Sequence, residues 1–210
     1  MQIISHRGLC YNFKNENNTI EAFKRSFDKG IGVETDLRDY KGRVVISHDM
    51  PTGEESYFED LLKIMNGKNL LLALNIKADG LSKEIAKLLN HYNHTNYFTF
   101  DMSIPDMVFQ IKEKIKVYTG CSDILKMPIL LEEAIGVWLD SFYSEWFDES
   151  LLVKFLSAGK KICIVSAELH GRDNKNQWNI LKGFSCLKGD NVALCTDFPE
   201  DAMHFFKEEL

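Results

Sequence analysis

The sequence is short of the features that mark secreted, membrane-spanning or nucleic-acid-binding proteins. Its five cysteines, Cys10, Cys121, Cys163, Cys186 and Cys195, are an odd number and include no CxxC pair. That excludes a disulfide framework or a zinc site as the organising device, and the cysteines read as reduced, mostly buried thiols. No Lys/Arg cluster is longer than a dipeptide, and the formal net charge is -6 with a pI near 5.5. A nucleic-acid binder needs a basic face, so that class is excluded and small-molecule partners are expected. No window approaches the roughly 18 uninterrupted apolar residues of a membrane span. The opening "MQIISHRGLC" has no basic region followed by a long apolar core, the pattern of a secretory leader. A cytoplasmic protein without stable membrane insertion is expected, and the sequons "NNT" and "NHT" then carry no sugar. Repeats, low-complexity tracts and interdomain linkers are also missing. With 210 residues, 45% hydrophobic and 27% charged, residues 1–210 suit a single domain with one sizeable core. The oligomeric state is not legible.

What the chain does have is a regular alternation. Short apolar runs rich in Val, Ile and Leu recur at residues 2–5, 32–35, 70–76, 97–100, 116–119, 136–139, 161–166 and 192–195, giving eight candidate strands. Between most of them lie segments with helical spacing of apolar residues, at 19–29, 57–66, 81–92, 104–115, 148–158, 175–184 and 200–209. Strand and helix in alternation predict a parallel sheet, and near-continuous apolar strands such as "LLLALNI" predict burial on both faces. Eight such units point to an α/β fold, a single compact (β/α)8 TIM barrel. The run "KGRVVISHD" at 41–49 follows a Lys-Gly turn and reads as a small β extension paired with strand 2.

In a parallel barrel the chemistry sits where strands end and loops begin. Those positions hold His6 and Arg7, Glu34 and Asp36, His48 and Asp49, Asn75 and Lys77, then Asp101, Asp140, Glu168 with His170, and Asp197. Glu34 and Asp36 are two apart in a strand and therefore share a face. Two carboxylates on one face repel unless a cation lies between them, which suits Mg²⁺ or Ca²⁺, or unless one is paired with Arg38 or Lys77. His6 and His48 read either as reactive imidazoles or as satisfied core histidines. His91 and His94 in "NHYNH" read as a solvated helix end rather than a metal site. Cys10 reads as a loop thiol, Trp138 and Trp178 as packing residues, and "AMHFFKEEL" as a last amphipathic helix against the sheet.

Taken together, "SHRG" at 5–8, "NNTIEAF" at 17–23, "VETDLRD" at 33–39 and "VVISHD" at 44–49 occur in an order and spacing that resembles the glycerophosphodiester phosphodiesterase family, relatives of the sphingomyelinase D type phospholipases. "NIK" at 75–77 and "LCTDFP" at 194–199 extend the resemblance along the barrel. The resemblance implies a metal-dependent phosphoric diester hydrolase acting on a glycerophosphodiester-like small molecule. His6 and His48 would be general acid and base, and Arg7 and Lys77 would bind the phosphate. Glu34, Asp36 and Asn75 would hold one divalent cation, Mg²⁺ or Ca²⁺. Attack by a neighbouring substrate hydroxyl would give a cyclic phosphate. The alternatives are a lyase that releases that cyclic phosphate and a catalytically inactive barrel that binds a phospho-ligand. Two positions depart from the family. Asn75 stands where the family has a third metal carboxylate, leaving a less charged metal site for which Asp101, Asp140 or Glu168 are substitute acids. Asn17 stands where the family has a glutamate, with Glu16 one place earlier.

Overall fold

A computed structural model describes residues 1–207. Nine strands and seven α-helices follow one another in the expected alternation. The strands are β1 (Gln2–His6), β2 (Gly32–Tyr40), β3 (Arg43–Ile46), β4 (Leu72–Ile76), β5 (Tyr97–Phe100), β6 (Tyr118–Cys121), β7 (Gly136–Leu139), β8 (Lys161–Val165) and β9 (Val192–Thr196). The helices are α1 (Ile20–Asp28), α2 (Phe58–Met65), α3 (Ser82–His91), α4 (Ile104–Lys112), α5 (Glu149–Ser157), α6 (Asn174–Lys182) and α7 (Pro199–Lys207). The last helix expected from sequence ran to 209, and residues 208 and 209 lie outside the described residues. Two short 3₁₀ turns, Ala167–His170 and Ser185–Leu187, were not anticipated.

The strand order is β5-β4-β2-β1-β9-β8-β7-β6, with β3 beside β2. Val117, immediately before β6, bridges Thr99 of β5 in parallel, so the order comes close to closing on itself as in a (β/α)8 barrel. The β extension is as expected: β3 runs antiparallel to β2, pairing Leu37 with Ile46 and Tyr40 with Arg43. That pairing carries β2 five residues past the predicted run at 32–35. Between β6 and β7 there is no α-helix, only the loop 122–135.

Two compact units are distinguishable, Ser5–Val117 and Met1–Ile4 with the chain from Tyr118 onward. The first is built around Phe23, Phe27, Leu37, Phe58, Leu72 and Leu74. Helix α1 shows why it forms: Thr19 caps it by accepting from the Ala22 N–H, and Ala22, Phe23, Ser26 and Phe27 make its buried face. Each phenylalanine so buried contributes about 2–3 kcal/mol. The second unit has its own core, with Val137, Leu139, Leu152, Ile162, Ile164 and Leu194. Among the described residues no helix is long and apolar enough to cross a membrane.

Candidate active site

His6, Arg7, Glu34, Asp36, His48, Asn75 and Lys77 all fall within Ser5–Val117. Four are fixed by strands. Glu34 and Asp36 lie on β2 with Asp36 in register with Asn75 of β4, and His6 ends β1. Lys77 follows β4, its N–H donating to the Leu37 carbonyl at 3.0 Å. Glu34 is 2%, Asp36 0% and Asn75 7% exposed, so three oxygen-bearing side chains share a site from which water is largely removed.

Asp36 is heavily compensated. Arg7 Nε lies 2.9 Å from its Oδ2 and Lys77 Nζ 3.3 Å from its Oδ1. Neither contact has hydrogen-bond alignment, since Arg7 Nε and Asp36 Oδ1 both remain without a hydrogen-bond partner. They are charge pairs by distance. Asn18 Nδ2 donates to Asp36 Oδ2 at 2.9 Å, and Thr35 Oγ1 donates in turn to Asn18 Oδ1 at 2.8 Å. The ion-pair reading of this carboxylate therefore holds for Lys77 and not for Arg38, which donates instead to the His48 carbonyl at 3.0 Å.

Glu34 is less compensated. His6 Nε2 stands 3.9 Å from its Oε2. Burial, and then the Asp36 charge, push its carboxyl up to about 7 against the pull of His6, Arg7 and Lys77. A carboxyl held this far from its ordinary value is one that a cation would restore. Glu34 Oε2, Asp36 Oδ1 and Asn75 Oδ1 are all buried acceptors with no hydrogen-bond donor. Unsatisfied buried acceptors are rare, and three of them, on Glu34 and Asp36 of β2 and on Asn75 opposite Asp36 on β4, form the hard oxygen set that Mg²⁺ or Ca²⁺ takes. The residues fit a divalent cation. Among the described residues no group of three or more His, Cys, Asp and Glu side chains is arranged to hold a metal; the third oxygen of this set is the Asn75 amide.

Asn75 Nδ2 donates to Asp101 Oδ2 at 3.2 Å, so of the substitute acids Asp101 touches the set through Asn75. The other two belong to the second unit and are engaged there: Asp140 Oδ1 with His170 Nε2 at 2.7 Å, and Glu168 with Thr196, Ser166 and the Asp197 N–H. Glu16 pairs with Arg25 at 2.7 Å and accepts the Tyr11 and Asn12 N–H groups. It secures the loop, while Asn17 accepts from the Cys10 thiol. Neither reaches Asp36, and Asn18 does. Sequence reasoning passed over Asn18 although it lies inside the quoted "NNTIEAF".

His48 arrives by another route. The Ser47 N–H donates to the Asp36 carbonyl at 3.0 Å, which anchors the end of β3 against β2. His48 is half-exposed, with Nδ1 2.9 Å from Asp49 Oδ1. That bond assigns Nδ1 to Asp49 and leaves Nε2 as the nitrogen that can exchange a proton. His48 and Arg7 line one cleft of about 420 Å³ with Asn18, Ser47, Asp49 and Glu55.

No protein-family model matches the chain, and no curated protein matches it in sequence. Solved structures do. A glycerophosphodiester phosphodiesterase from Agrobacterium tumefaciens superposes with a TM-score of 0.68 at 16% identity over 98% of each chain. An Oleispira antarctica phosphodiesterase in complex with the product sn-glycerol-3-phosphate gives 0.69 at 17% identity, over 98% of this chain and 96% of that one. A glycerophosphoryl diester phosphodiesterase from Parabacteroides distasonis gives 0.68 at 12% identity, over 99% of this chain and 86% of that one. This is the glycerophosphodiester phosphodiesterase fold. At such identities the likeness is one of fold, and the chemistry has to be argued from the residues above. Within the glycerophosphodiester phosphodiesterase fold, the histidine expected to lie at a solvated helix end, His94, is instead buried, 5% exposed, with its Nε2 3.1 Å from the Asn96 carbonyl.

Proposed function

We propose that the chain is a phosphoric diester hydrolase for a glycerophosphodiester-like substrate, using one divalent cation and two histidines. The observation that carries this is the trio of buried, donorless oxygens on Glu34, Asp36 and Asn75 beside two cationic side chains. The product named for the Oleispira neighbour suggests the substrate class.

A cation held by these three residues supplies Lewis-acid stabilisation of the charge that develops on phosphoryl oxygens. The rest belongs to the chain. Arg7 and Lys77 each carry more donors than the one nearest Asp36 and can turn them to phosphoryl oxygens. His48, with Nδ1 held by Asp49, presents Nε2 to the cleft, and His6 faces Glu34. One imidazole removes the proton from the attacking hydroxyl and the other protonates the leaving alkoxide. A hydroxyl adjacent to the phosphate in the substrate would attack first and give a cyclic phosphate, to be hydrolysed or released.

One observation favours the non-catalytic alternative: Asp36 already has two countercharges from Arg7 and Lys77. Phosphorus NMR of glycerophosphodiesters with the protein, in Mg²⁺ or Ca²⁺ and in EDTA, separates the readings. A monoester or cyclic phosphate signal that needs the cation and disappears in His6→Ala and His48→Ala supports the enzyme, and the product identifies hydrolase or lyase. Metal-independent binding of sn-glycerol 3-phosphate without turnover would leave the binding barrel.

A further inference from the structure

Helix α2 stops on Asn66-Gly67, the one Asn-Gly dipeptide in the sequence. Asn66 takes the left-handed conformation at φ 49° and ψ 46°, and Gly67 follows at φ 74°. Helices commonly end on such a residue, and Gly and Asn are the two that reach it at little cost. The Asn66 N–H donates to the Lys63 carbonyl at 3.2 Å. Beyond that bond these two residues are untethered. Among the described residues neither the Asn66 side-chain amide nor the Gly67 N–H has a hydrogen-bond partner. Both residues are exposed, and a Cβ built on Gly67 would meet nothing within 4 Å.

A second dipeptide of related reactivity, Asp79-Gly80, is exposed as well but is locked. The Gly80 N–H donates to Asp106 Oδ1 at 3.1 Å, and Asp79 accepts the Ser103 N–H at 3.2 Å and the Ser103 hydroxyl. Asp106 is itself buried and accepts from Gln110 Nε2 at 2.6 Å. Exposure does not separate the two dipeptides; hydrogen bonding does. An Asn or Asp side-chain carbonyl carbon and the nitrogen of the next residue close a five-membered ring when that nitrogen is free to lose its proton and no Cβ crowds it. A hydrogen bond from the N–H to a buried carboxylate holds the proton and fixes the direction of the nitrogen.

We propose that Asn66 is a site of spontaneous deamidation and isoaspartate formation in the folded protein, and that folding protects Asp79 from the equivalent isomerisation. Solvent base removes the Gly67 N–H proton and the nitrogen bonds to Asn66 Cγ. The bond from Cγ to the side-chain nitrogen then breaks, and that nitrogen leaves as ammonia with a proton from solvent. A succinimide remains. Water adds to either ring carbonyl carbon, the ring C–N bond at that carbon breaks, and the nitrogen recovers its proton. Opening at Cγ gives an ordinary aspartyl residue, and opening at the backbone carbonyl gives isoaspartate, with the chain routed through the side-chain carbon. Water enters, ammonia leaves, and nothing is oxidised or reduced. The product places a new carboxylate at the C-terminal end of α2, the negative end of its dipole, in a chain whose net charge is already -6.

The test incubates the full chain in mildly alkaline buffer, folded and in guanidinium chloride. Peptides are followed by mass spectrometry and by methyl transfer from S-adenosylmethionine with an isoaspartate-specific methyltransferase. An untethered turn opens at almost no cost, so the peptide holding Asn66 should gain about one dalton at a folded rate within about tenfold of the unfolded rate. Isoaspartate at Asp79, silent in mass, should form in the denaturant and be slowed more than about tenfold by folding. Asn66→Gly keeps a residue suited to the left-handed position and should abolish the mass gain and the methyl acceptor at this turn. Folded protein whose Asn66 peptide keeps its mass while the unfolded chain converts overturns the proposal. So does isoaspartate forming at Asp79 as fast in the folded chain as in the denaturant, or a folded-state mass gain in this peptide that persists undiminished in Asn66→Gly.

Discussion

Asn75 supplies the third oxygen of the buried set without supplying a charge, and under the proposed function this residue would set how tightly a cation is held. Asn75→Asp adds a carboxylate in register with Asp36, so affinity for Ca²⁺ or Mg²⁺ should rise at least about tenfold by calorimetric titration. The same change removes the amide that donates to Asp101 and sets two carboxylates against each other. In EDTA the variant should therefore lose about 1–3 kcal/mol of stability and recover it when the cation is added. A variant that binds no tighter would mean that Asn75 does not face the cation. His94 allows a prediction about pH. Burial, against its hydrogen bonds to the Asn96 and Leu70 backbone, holds its imidazole below the ordinary 6.5. The unfolded chain then binds the proton more readily, so this contribution to stability is complete above about pH 6.5 and is lost as pH falls toward the folded value. The urea midpoint should drop from pH 7 to 5, and His94→Gln should flatten that slope. The strand-end rule put His6, Arg7, Glu34, Asp36, Asn75 and Lys77 on one list, because parallel strands bring the residues at their C-terminal ends to the same edge of the sheet; that Asp36 stands opposite Asn75 is a register the sequence did not show. The burial of His94 depends on tertiary packing that no local pattern encodes.

At the scale of elements, the connection from β1 to α1 is the most constrained part of the site. Arg7 has φ 55°, Gly8 φ 94° and Asn18 φ 61°, all left-handed. The Arg7 N–H donates to the Glu34 carbonyl, and the Arg7 carbonyl accepts the Asn18 N–H, each at 2.9 Å. A Cβ on Gly8 would lie 2.7 Å from the Ala22 Cβ on α1. Gly8→Ala should thus cost about 2–4 kcal/mol in urea unfolding, from clash and strain together. It should also weaken phosphate binding, because Arg7 rides on the same turn. This loop shows why Glu16 and Asn17 were ambiguous in sequence: with left-handed residues at both ends, counting along the chain does not say which side chain faces Asp36. The strands and helices themselves were legible, since their apolar periods differ. β2 outran its apolar run because pairing with β3 made Leu37–Tyr40 a strand, and long-range pairing is invisible to a local pattern. The loop 122–135 likewise carried no signal that Ile124 and Met127 would be exposed.

At the scale of the whole molecule, we propose that 1–210 behaves as a single domain, as the composition suggests. Every proposed site residue lies in Ser5–Val117, whereas all three tryptophans, Trp138, Trp146 and Trp178, lie in the unit from Tyr118 onward. β1 is divided, giving Gln2–Ile4 to one unit and Ser5 and His6 to the other. A strand shared in this way is expected to tie the two unfolding equilibria together, so the chain should unfold in one cooperative step. A cation that binds only the folded site stabilises whatever unfolds with it, by about 2.7 kcal/mol at a hundred times its Kd. Urea unfolding followed by far-UV circular dichroism and by tryptophan fluorescence, with and without Ca²⁺, makes this measurable. Circular dichroism reports the whole chain and registers that Ca²⁺ binds. Tryptophan fluorescence reports only the unit without the site. In a single domain the fluorescence midpoint should move with Ca²⁺ by the same increment as the dichroism. If the units unfold independently, the fluorescence midpoint stays fixed while the dichroism splits into two transitions, only one of which responds to the cation.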